Sequence, residues 1–146
     1  MSRVDRDQIL AMIPHEGAMC LLDEILMWDQ SSVRCLSYRY RKADNPLRRP
    51  DGTLGTACGV EIAAQAMAVH GRLQAPEGGK PVPGYLVSLR DVRLSSTRLD
   101  EAAGPLIIDA KLLMGDRSGA TYEFAVADEK TEWLSGRATV LFGTGR

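Results

Sequence analysis

Histidine is almost missing from this chain, which has only His15 and His70. Most proton chemistry near neutral pH relies on an imidazole, so any such chemistry here must be built on a carboxylate or on one of those two rings. Cysteine is also sparse and odd in number. Cys20, Cys35 and Cys58 contain no C-x-x-C spacing, which argues against a disulfide framework and a zinc site and leaves reduced, mostly buried thiols as the expectation. No run of five like charges occurs and the formal net charge is −1, so there is no bulk electrostatic case for nucleic acid or an anionic membrane. The polar start Met1-Ser-Arg-Val-Asp-Arg-Asp7 leads into only a short apolar stretch. Neither a signal peptide nor a membrane span is expected, and the cytosol is the expected compartment. No internal repeat, low-complexity tract or linker breaks the chain, and its 146 residues, 45% of them hydrophobic, suit one globular domain over 1–146.

What is present reads as alternating short elements around one long one. Asp5 to Met12 predicts a short helix after a capping Asp, closed by Pro14. Met19 to Trp28 and Val33 to Tyr40 read as two antiparallel strands joined at Asp29-Gln-Ser-Ser32. Lys42 to Gly52 carries two prolines and a terminal Asp-Gly, which makes it a shaped loop. Between Ala57 and Val69 the only polar side chains are Glu61 and Gln65. That run exceeds a usual strand and predicts a helix from about Thr56 to Arg72. A second loop follows, with Gly71, Gly78, Gly79 and three prolines. Four strands are then expected at Tyr85–Leu94, Pro105–Met114, Ala120–Ala127 and Glu132–Phe142, able to pair antiparallel without crossovers. Asp116-Arg-Ser-Gly119 reads as a hairpin turn between two of them. The expected class is α+β, a strongly curved antiparallel sheet of about six strands wrapped around one nearly all-apolar helix. One helix offers little core, so a sheet edge or the sheet's open side is expected to meet a second copy.

Glu61 is the first candidate for chemistry. At about 100° per residue Gln65 lies about 40° round the helix from it and Arg72 about 20°, with His70 on the opposite face. If this stripe faces a cavity, desolvation tunes Glu61 as a general acid or base. The competing reading is the solvated stripe of a surface helix. The helix start, with Thr56, Ala57, Cys58 and Gly59, is the second candidate, because free N–H groups and the positive dipole end can hold a carbonyl oxygen that gains negative charge. Cys58 is either a thiol activated by the helix terminus or small core filler. His15, in Pro14-His-Glu-Gly17, suits a structural hydrogen bonder or a base. Arg48, Arg49, Arg90, Arg93 and Arg98 are either solvated charge or a docking place for a phosphate or an acidic carrier. No metal site and no cofactor are expected.

Three segments in order resemble one family. Pro14-His15 with Leu21-Leu-Asp23 resembles the opening P-H-x-x-P-x-L-L-x-D, and Gly59-Val-Glu61-Ile-Ala-Ala64-Gln65 resembles a helix whose catalytic acid is followed by A-Q. Gly84-Tyr85-Leu86-Val-Ser-Leu89, continuing to Arg93-Leu94, is similar to a strand reading Y-L-x-x-I-x-x-x-R-F. The pattern is that of the FabA/FabZ-like 3-hydroxyacyl-[acyl-carrier-protein] dehydratases of the hotdog fold. The resemblance implies a homodimer or a hotdog heterodimer with acyl-carrier-protein or coenzyme A thioesters bound at the subunit interface. It implies Glu61 as the acid, the backbone about Thr56 to Gly59 as the oxyanion group, and His15 and Gln65 near the substrate. The family's loop histidine should fall near Leu47, yet Asn45-Pro-Leu-Arg-Arg-Pro50 has none. Asn45 can orient a substrate or water there but cannot take a proton at neutral pH. The helix-start P-G of the family is replaced by Gly55-Thr56. The motif variants are similar to dehydratase-like proteins associated with aryl-polyene-type acyl chains. Dehydration, thioester hydrolysis through Glu61-activated water, and a non-catalytic place in a heterodimer remain the three readings.

Overall fold

Alanine, methionine and isoleucine without proline carry the longest run of the chain into a helix, and the rest of the fold is arranged to cover it. The computed structural model describes residues 4–12, 20–42, 44–74, 84–102 and 104–142. In chain order these form β1 (Val4–Asp5), α1 (Arg6–Met12), β2 (Glu24–Trp28), β3 (Ser32–Ser37), α2 (Gly59–Gln74), β4 (Gly84–Leu94), β5 (Leu106–Gly115), β6 (Gly119–Ala127) and β7 (Glu132–Phe142). A single 3-10 turn, Thr56–Cys58, leads into α2. His15, and the loop expected after the helix at 75–83, lie outside the described residues.

The strands make one antiparallel sheet of seven, in the order β1-β2-β3-β5-β6-β7-β4. Six strands were expected; the seventh is β1, two residues paired to β2. The four later strands do pair antiparallel, but the expectation of no crossover is corrected at β4, which lies on the far side of β7 and forms the sheet edge, while β3 takes the place beside β5. One face of the sheet wraps α2. Alternation places Tyr122, Phe124 and Val126 of β6 inward with Leu106, Ile108 and Ala110 of β5, against Ile62, Ala63, Ala66 and Val69 of the helix. Each fully buried large side chain contributes about 1.5–3 kcal/mol.

Two boundaries moved for the same reason, namely that side chains took over the work of a ladder. Residues 20–22 are extended but unladdered: Arg6 Nη1 donates to the Cys20 and Leu22 carbonyls, Ser37 Oγ donates to the Leu21 carbonyl, and the Leu21 amide donates to Gln65 Oε1. Strand β2 therefore starts at Glu24 rather than Met19. Strand β3 stops at Ser37 rather than Tyr40, because Asp23 Oδ2 accepts from the Tyr38 and Arg39 amides and turns the chain into a 3-10 turn at Arg39–Arg41. The hairpin at Asp116 forms as expected, its carboxylate accepting from Ser118 and Gly119.

Candidate functional site at the start of the central helix

Glu61 stands in the first turn of α2, half-buried, on a partly open stripe with Val60, Ala64, Ala68 and Arg72. A carboxylate there is favoured by the positive end of the helix dipole. Gln65, one turn on, is buried, and its carbonyl oxygen holds the Leu21 amide at 2.9 Å. His70 is buried on the opposite face, as its angular position requires. Its Nε2 donates to the Asp29 carbonyl at 2.9 Å, which leaves Nδ1 to accept from the Tyr122 hydroxyl at 2.7 Å. Burial pushes the His70 pKa down and the Tyr122 hydroxyl up to about 12. This network pins the far end of α2 to β6 and to the β2–β3 turn, away from Glu61.

The start of α2 is bolted to the segment before β5. Thr56 N–H donates to the Thr97 carbonyl at 3.0 Å, Leu99 N–H to the Leu54 carbonyl at 2.8 Å, and Leu54 N–H to Asp100 Oδ1 at 2.9 Å. Asp100 is itself held at a pKa of about 2 by the Arg98 guanidinium. Gly59 is held to glycine by close approach, whereas a side chain at Gly55 would only have to push aside the flexible end of Arg49. A Cβ on Gly55 would meet the Arg49 guanidinium at 2.8 Å, and one on Gly59 would meet Leu134 Cδ2 at 2.4 Å.

The preceding loop reaches this turn. Cys58 Sγ points to the Leu47 carbonyl at 3.8 Å, and Leu47 packs on the core. Asn45 is buried with its amide turned to the loop itself, donating to the Tyr40 carbonyl and accepting from the Leu47 amide. Arg48 likewise donates to the carbonyls of Arg41, Lys42 and Gly52. The contact of Leu47 with Cys58 was not legible in the sequence, since nothing local sets how that loop folds back.

A depression of about 720 Å³ lies elsewhere, on the outer face of the sheet. Charged neighbours there, Arg34 with Asp109 and Glu123 with Arg137, pair with one another, and of the candidate residues only Arg93 lines it. Among the described residues no cluster of three potential metal ligands occurs, and no helix is long and apolar enough to cross a membrane.

A long helix wrapped by a single antiparallel sheet defines a hotdog protein. A solved dehydratase heterocomplex, ApeI:P from Xenorhabdus doucetiae, superposes with a TM-score of 0.82 at 24% identity, over 94% of this chain and 91% of that one. A mutant thioesterase from Pseudomonas aeruginosa matches with a TM-score of 0.65 at 14% identity, over 95% and 94%. A thioesterase from Haemophilus influenzae matches with a TM-score of 0.65 at 13% identity, over 96% and 91%. No curated protein sequence matches. The chain belongs to the ApeP-like family of ApeP dehydratases, whose model matches residues 7–143.

Proposed function

We propose that this chain is the Glu61-bearing half of a two-subunit dehydratase that acts in the cytosol on 3-hydroxyacyl thioesters of acyl carrier protein or coenzyme A. The observation that carries the proposal is Leu47. The loop whose Leu47 carbonyl meets Cys58 at the helix start, where the resemblance calls for a histidine, has in Asn45-Pro-Leu-Arg-Arg-Pro50 no side chain that can accept a proton at neutral pH. Dehydration needs two proton transfers. A base removes the proton on the carbon next to the thioester carbonyl, the C–O bond to the 3-hydroxyl breaks, and an acid protonates that leaving hydroxyl to water. Glu61 supplies the acid, and the base comes from a second hotdog subunit.

Strand β4 supports a docked partner. It is an edge strand of 11 residues in which Tyr85, Leu86, Val87, Leu89, Val92 and Leu94 are all exposed. A long apolar edge left bare is a site for strand pairing. The similarity to a chain from a dehydratase heterocomplex supports the same reading.

The test is enoyl absorbance from 3-hydroxyacyl thioesters, measured for this chain alone and mixed with a second hotdog subunit. Turnover is expected only in the mixture, with Glu61→Gln lowering it by about 10²- to 10⁴-fold. Full activity of the chain alone would reject the two-subunit reading. Hydrolysis is the second reading, favoured by the fold shared with thioesterases. Release of free thiol without enoyl product, abolished by Glu61→Gln, would put it first.

A further inference from the structure

Arg90 and Arg93 stand three apart on an edge strand, a spacing that alternation alone would put on opposite faces. The strand is built to bring them together. Arg90 lies opposite Arg137 and Arg93 opposite Ser135, so three steps along β4 match two along β7, and the extra residue makes a bulge with Asp91 in the left-handed region at φ 54°. A bulge re-aims the side chains beyond it. Here it returns Arg93 to the outer face, where it lines the depression with Ser135 and Arg137. Arg90 shares that face because its cross-strand partner Arg137 does.

For the single chain this arrangement is unfavourable. All three arginines are exposed, and Arg90 sits directly opposite Arg137, a like-charge pair of the kind that weakens a sheet. Asp91, Glu123 and Glu132 line the same depression. Among the described residues, though, only Glu123 comes within ion-pair reach of the cluster, at 3.9 Å from Arg137, and neither Arg90 nor Arg93 pairs with an acid. Strand β4 ends the sheet, so an incoming strand would lay its own outer-face side chains beside Arg90 and Arg93. An acidic carrier is a poor match for this face, because it must deliver its thioester to Glu61 on the helix side of the sheet.

Resting on the two-subunit reading above, we propose that Arg90, Arg93 and Arg137 select the partner: they admit a hotdog edge strand that carries carboxylates on its outer face and turn away a second copy of this chain. Two copies meeting edge to edge about a twofold axis present the same patch to each other. With that axis near Leu89, the middle residue of β4, the two clusters meet across it, positive against positive. Carboxylates on a different strand remove that repulsion and also offset the one already present between Arg90 and Arg137.

The experiment uses the double variant Arg90→Glu/Arg93→Glu as an acidic edge of known chemistry. Light scattering reads molar mass for wild type alone, the variant alone and the two mixed. Each protein alone is expected to stay a monomer at concentrations where the mixture pairs, about tenfold more tightly, with the advantage shrinking as salt rises. The variant should melt at the wild-type temperature or above it, since the like-charge pair at Arg137 has become an opposite one. Arg90→Gln/Arg93→Gln, which keeps the fold without the new charges, should pair with wild type more weakly than the acidic variant does. Against the hotdog subunit of the enoyl assay, the acidic variant should bind about tenfold more weakly than wild type. Equal association of wild type with itself and with the acidic variant, or equal binding of both to that subunit, would overturn selection by charge and leave the two-subunit reading standing. Wild type that joins neither the acidic variant nor the subunit would overturn both.

Discussion

His70 is held neutral by where it sits. It donates its one proton to the Asp29 carbonyl and accepts from the Tyr122 hydroxyl on the other nitrogen, and a charged ring in this buried place would lose its hydration. The folded-state pKa is therefore depressed, and the unfolded chain binds the extra proton first as pH falls. The resulting stability is complete above about pH 6.5, the unfolded value, and declines as pH drops below it. Urea unfolding should show this slope in wild type and lose it in His70→Phe, although the variant is less stable throughout. Leu47 makes the complementary test. Leu47→His places an imidazole against the helix start, and low but measurable enoyl formation by the chain alone is expected, again sensitive to Glu61→Gln. Glu61 was legible as a candidate because one acid in an apolar helix is conspicuous. The job of Gln65 was not, since its partner Leu21 is 44 residues away.

Among the elements, α2 was the most legible, and it extends two residues beyond the expected Arg72, through Gly71, to Gln74. Gly71 and Gly59 predict opposite outcomes in that one helix. A Cβ at Gly71 meets only the Phe142 ring, at 4.0 Å. Gly71→Ala should therefore stabilise by about 0.5–1 kcal/mol through helix propensity, seen as a higher midpoint in thermal unfolding. Gly59→Ala must displace the buried Leu134 and should destabilise by about 1–3 kcal/mol despite the same gain in propensity. Strand identities were legible from alternation, with β7 matching from Glu132 to Phe142. Strand order was not. Periodicity reports which face of a strand is buried, whereas the pairing of β4 with β7 is set by how the whole sheet closes round α2.

At the scale of the whole molecule, β4 carries the main liability and the main prediction. Its inner-facing Leu89, opposite Ala138, and its neighbours leave apolar surface unpaired on an open edge. Leu89→Lys should leave thermal stability of the single chain close to wild type and should abolish association with the partner subunit, read as molar mass by light scattering on the mixture. A mixture that still associates would place the interface elsewhere. The same strand also sets a timetable for synthesis. Residues 84–94 leave the ribosome well before residues 132–142, the only strand they pair with among the described residues. Until then β4 is bare along both sides, and the helix beside it has half a wrapper. A chain stalled or cut before Glu132 would thus emerge as a sticky hairpin-former in place of a subunit, and the docking edge would exist only once the final strand had locked it from behind.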